Sequence, residues 1–112
     1  MIMETPIYDL TIKGGEDFSF TFYLEEEDKT LQDLTGKTFL AQLRPFAEDS
    51  KAIDFACTHN NQGGTVTITL SHQKTTAIRF ESGVYDIIQV NQDGTRECKL
   101  SGKVTIKPAV TR

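Results

Sequence analysis

A chain of 112 residues is long enough for one hydrophobic core and too short for two, which predicts a single domain over residues 1–112. A formal net charge of −4 leaves no basic stripe for nucleic acid or an anionic membrane surface, and 38% hydrophobic residues with three prolines argue against disorder. No apolar run approaches the ~20 residues of a bilayer span.

The first six residues precede any regular pattern and read as an arm, whose apolar Met1, Ile2 and Met3 suit docking on a neighbouring molecule. Tyr8, Leu10 and Ile12 then alternate with Asp9, Thr11 and Lys13, the period of a strand with one buried face. After the Gly14-Gly15 turn, Phe18, Phe20, Phe22 and Leu24 point one way and Ser19, Thr21 and Tyr23 the other, leaving Tyr23 on an exposed face. Glu25, Glu26, Glu27 and Asp28 form an acidic tip, suited to solvent and also to orienting a basic partner. A turn at Gly36-Lys37 feeds a strand with Phe39, Ala41 and Leu43 inward, and Ile53, Phe55 and Cys57 make a shorter set. Val66, Ile68 and Leu70 are interleaved with Thr65, Thr67 and Thr69, whose β-branched side chains suit the outer side of a pleat.

Only SHQKTTAI, residues 71–78, reads as helical, and its mediocre helix formers behind a Ser71 cap predict one or two turns. Two apolar-alternating runs then flank Asp93-Gly94, the strongest short-range hairpin signal. In the last strand Cys98, Leu100, Gly102, Val104 and Ile106 share a face opposite Glu97, Lys99, Ser101, Lys103, Thr105 and Lys107. Gly102 there predicts a bulge or the close approach of another backbone, the lysine face suits edge protection, and Pro108 ends the ladder, leaving 107–112 as a tail. Seven or eight short strands separated by turns every ~8–12 residues describe an all-β, antiparallel β-sandwich with a short helical turn near 71–78.

Motifs that carry chemistry are weak. NQDG lacks the alternating carboxylates and closing glutamate of a calcium loop, and Arg96 puts a cation among the would-be ligands. LTGKTF contains the GKT of a phosphate-binding loop, but Leu31 occupies the position of the required earlier glycine and strand residues follow. His59 and His72 have no second ligand at zinc spacing, so no metal site is expected. Cys57 and Cys98 lack CxxC spacing and read as small hydrophobes on strand faces, more simply thiols than a bridge. No catalytic residue and no cofactor are therefore expected. The opening MIMETPIYDLTIKGG has no basic segment ahead of an apolar one, and no Asn lies two residues before Ser or Thr, which points to a cytoplasmic site of synthesis.

Four phrases, in order, carry a resemblance: YDLTIKGGEDFSFTF (8–22), DLTGKTFLAQLRP (33–45), GTVTITLSHQKTTAI (64–78) and SGVYDIIQVNQDGTRECKLSGKVTIKPAVTR (82–112). Together they resemble a group of small tailed-bacteriophage proteins and are similar to the immunoglobulin-like N-terminal domain of phage baseplate upper proteins. The chain departs from that pattern at Val84 and Ala109, and the loop 60–64 matches nothing in it. The resemblance implies an immunoglobulin-like sandwich in a virion, made in the host cytoplasm. It further implies a non-enzymatic structural or accessory part of tail, baseplate or neck, packing against other virion proteins and its own copies in a cyclic assembly. Two alternatives are a capsid decoration protein and a carbohydrate or host-surface binding module. The second is weakened by the absence of Trp, with Tyr23 the one tyrosine expected outside and Tyr8 and Tyr85 expected inside.

Overall fold

The computed structural model describes residues 6–24, 33–61 and 63–111. Among these residues the chain forms eight strands and one short helix: β1 (Leu10–Lys13), β2 (Phe18–Tyr23), β3 (Thr38–Arg44), β4 (Ile53–Asp54), β5 (Ala56–Asn60), β6 (Thr65–Leu70), α1 (His72–Ala77), β7 (Ser82–Val90) and β8 (Arg96–Lys107). A five-stranded sheet, ordered β1-β8-β7-β3-β4, packs on a three-stranded sheet, ordered β2-β6-β5. This all-β sandwich has the immunoglobulin-like strand order, one sheet built on β8, β7 and β3 and the other on β2, β6 and β5. It is not wholly antiparallel: β1 runs parallel to β8, pairing Leu10 with Val104 and Ile12 with Ile106.

The two inner faces meet in one core. Ile12, Leu43, Ile87 and Val104 come from the larger sheet, and Val66, Ile68 and Leu70 from the smaller. Phe18, Phe20 and Phe22 are only half-buried, because β2 lies at the edge of its sheet. Tyr8 was expected inside. It does stack on Phe20 with ring centroids 5.0 Å apart, but the open edge leaves it 52% exposed.

The turns carry the residues that their geometry requires. Gly36 and Gly94 adopt φ of 80° and 88°, the left-handed region where a Cβ is costly. At Gly94 the hairpin closes through Asn91 N–H donating to Thr95 O at 2.8 Å, and the Asp93 carboxylate accepts from the Thr95 amide and hydroxyl. NQDG is thus a bend. Ser71 caps α1 by accepting from Lys74 N, and the Thr75 hydroxyl, buried at the turn between β1 and β2, donates to Glu16 O and accepts from Gly15 N.

Two features depart from the simple alternation. Phe55 lies between β4, which pairs with β3, and β5, which pairs with β6, so the chain changes sheets at that residue. Where β7 pairs with β8 the register slips between Ile87 and Ile88, whose partners in β8 are Leu100 and Cys98. The bulge therefore sits at Lys99 and not at Gly102, and it moves Cys98 off the inner face to an exposed position beside outward-facing Ile88. Gly102 answers instead to close approach, since a Cβ there would lie 2.2 Å from the Tyr8 carbonyl oxygen.

Candidate functional site

Met1, Ile2, Met3, Glu25, Glu26, Glu27 and Asp28 lie outside the described residues. Tyr23 ends β2 and is 64% exposed, as expected. It stands beside Thr65 and Asn60 on the outer face of the three-stranded sheet, which otherwise presents Ser19, Thr69, Ala56, Thr21, Thr67 and Thr58. That face is polar, and its threonines bond one another, with Thr21 Oγ1 2.8 Å from Thr67 Oγ1.

The outer face of the five-stranded sheet is different. Register fixes its rows across β3, β7 and β8: Arg44–Val84–Lys103, then Gln42–Asp86–Ser101, then Leu40–Ile88–Cys98, then Thr38–Val90–Arg96. The segment before β1 extends two of them, because Ile7 bridges Ser101 and the Asp9 carboxylate accepts from Lys103 N at 2.9 Å. Leu40 is 48% and Ile7 77% exposed, while Val84, Ile88 and Val90 are half-buried. Here lies a shallow groove of about 700 Å3, whose lining includes Ile7, Val84, Asp86, Ile88, Cys98 and Lys103.

Charged groups frame this aliphatic centre. Arg44 is held by donating to Gln42 Oε1 at 2.9 Å and to the Asp49 carbonyl, and Gln42 in turn donates to Asp54 Oδ1 at 2.7 Å. Burial pushes the Asp86 carboxyl above the usual carboxylate range, and the Arg44 guanidinium pulls it partly back. Beneath the groove Tyr85 is pushed up to about 12 by burial first, then by Asp9 and Tyr8, and its hydroxyl donates to the Tyr8 carbonyl.

Other reactive side chains do not converge here. Burial raises the thiol of half-buried Cys57, which lowers its thiolate fraction, and His72 pairs with Asp17 at 3.0 Å on the exposed surface. His59 is exposed and meets the Phe39 ring edge-on. Buried Gln89 donates to Asn91 and Glu97 at the hairpin end, and its Oε1 has no partner among the described residues. Among the described residues no group of three His, Cys, Asp or Glu side chains could hold a metal ion.

The aliphatic outer face was not read from the sequence, although a signal existed. VYDIIQV in β7 is apolar at Val84, Ile88 and Val90 as well as at inward Tyr85 and Ile87, a pattern of strands covered on both sides. Comparison with protein-family models and with curated proteins gives no match to this chain.

Proposed function

We propose that this chain is a non-enzymatic structural or accessory component of a tailed-phage particle, acting by protein–protein packing in a symmetric assembly. The observation that carries the reading is the contrast between the two outer faces. Threonine dominates one, as expected where water is the neighbour, while Leu40, Val84, Ile88 and Val90 run through the charged and polar residues of the other. An aliphatic line along β7, joined by Leu40 of β3, on the outside of a two-layer sandwich suits a third layer supplied by another molecule. The particle as the setting rests on the resemblance of the four phrases to small phage proteins.

Fractionated phage particles test this reading. Mass spectrometry of separated capsids and tails should find the chain in one fraction, which also chooses between capsid decoration and tail, baseplate or neck. Its absence from both would overturn the virion role.

A further inference from the structure

The outer face of the five-stranded sheet has a symmetry in its charges. Arg44 on β3 and Asp9 beside β1 stand in one row, linked through Val84 and Lys103, and are three strands apart. The midline between them falls between β7 and β8. We propose that a second copy of this chain packs face to face here, about a two-fold axis running along the strands between β7 and β8. The inference rests on reading this face as an interface, though not on the particle that contains it.

Such an axis exchanges β3 with the partner's β1 position and β7 with its β8. Arg44 of each copy then faces Asp9 of the other, giving two opposite-charge contacts from one symmetry operation. In the next row Asp86 faces a partner Ser101, whose hydroxyl donates to the carboxylate, and Gln42 faces a partner Ile7. One row further Ile88 faces a partner Cys98, and in the outer rows Val84 and Val90 face the aliphatic stems of a partner Lys103 and Arg96. An axis perpendicular to the strands at the Asp86 row would set Asp86 against Asp86 and oppose Arg44 to Leu40, so charge selects the first arrangement.

Area sets the strength. Four strands spaced ~4.8 Å apart and four outward rows spaced ~6.7 Å apart cover roughly 500 Å2, below the ~800 Å2 per partner of a standard interface. The dimer is therefore weak in isolation, with a dissociation constant of about 10 μM or higher, and strengthens where an assembly holds copies close together.

Sedimentation equilibrium of the full chain over a concentration series, with circular dichroism to verify folding, tests the pairing. The wild type should show a monomer–dimer equilibrium. Ile88→Lys, at an outward position that tolerates a charge in the monomer, should weaken dimerisation at least tenfold. Arg44→Asp and Asp9→Arg should each weaken it similarly, and the double variant should recover most of the loss. A wild type that stays monomeric throughout, or folded single variants that dimerise as well as wild type, would overturn the proposal. So would a folded double variant no better than either single one. Each of these failures leaves the particle reading to be decided separately by the fractionation experiment, which does not depend on self-pairing.

Discussion

Gly102→Ala should be among the most damaging single substitutions in the molecule. The added methyl would sit 2.2 Å from the Tyr8 carbonyl oxygen and 2.7 Å from its carbon, both backbone atoms that cannot rotate away. The segment leading into β1 must therefore lift from β8. That breaks the Tyr85 hydroxyl bond to Tyr8 O, the Tyr8 amide bond to Ser101 O at 2.8 Å and the Ser101 amide bond to Pro6 O at 3.2 Å. Three hydrogen bonds at ~1 kcal/mol each give about 3 kcal/mol, comparable to the upper end for overpacking a core. With an m-value of about 2 kcal/mol/M, the urea midpoint should fall by ~1.5 M. Tyr85→Phe, which deletes only the hydroxyl, should cost about 1 kcal/mol. Amide hydrogen exchange adds a local readout, since Tyr8 and Ser101 should lose protection in Gly102→Ala while Ile68 in the opposite sheet keeps its rank. A Gly102→Ala protein within about 0.5 kcal/mol of wild type would refute the close-approach argument.

Gly94→Ala meets no atom within 4 Å but must hold φ near 88°, so it should cost about 1 kcal/mol in urea unfolding, and Gly94→Asn less. Asp86, raised by burial, contributes stability that is present below its unfolded pKa and lost as pH rises through the folded value. Asp86→Asn should therefore gain stability relative to wild type between acid and neutral pH, and parallel curves for the two proteins would contradict this. Asp17, Asp33 and Asp93 act in the opposite sense: their hydrogen bonds to His72, Thr35 and Thr95 lower their pKa values, so their contribution is present above the ordinary carboxylate range and lost on acidification below it. Thiol titration of dilute protein should show one fast cysteine, exposed Cys98, and one slow one, Cys57; a single rate in Cys57→Ser and Cys98→Ser proteins would contradict the difference in exposure.

Much of the fold was legible because alternation is local. The threonine row of β6, the Ser71 cap, the Asp93-Gly94 hairpin and the glycine of β8 each state their geometry within a few residues. What was hidden depends on partners far along the chain. Ile53, Phe55 and Cys57 keep their period through the change of sheets, so nothing in the run marks where β4 ends. The slip that turns Cys98 outward has no glycine or proline at its site, only the register of β7 against β8. Parallel pairing of β1 with β8 joins residues at opposite ends of the chain, which no short window can encode. The candidate face is hidden for a different reason: VYDIIQV is apolar on both sides of the strand, so a period of two does not mark which side meets solvent. Tyr23 is exposed as its alternation predicts, on the threonine-rich sheet.

Hydroxyl-radical footprinting of assembled particles against the isolated chain tests the central claim most directly. The account predicts that Leu40, Val84 and Ile88 on the outer face of the five-stranded sheet lose reactivity on assembly, while Tyr23 on the threonine-rich face changes less. Equal labelling of the aliphatic face in both states, with the chain present in the particles, would show that this face is not where the protein packs.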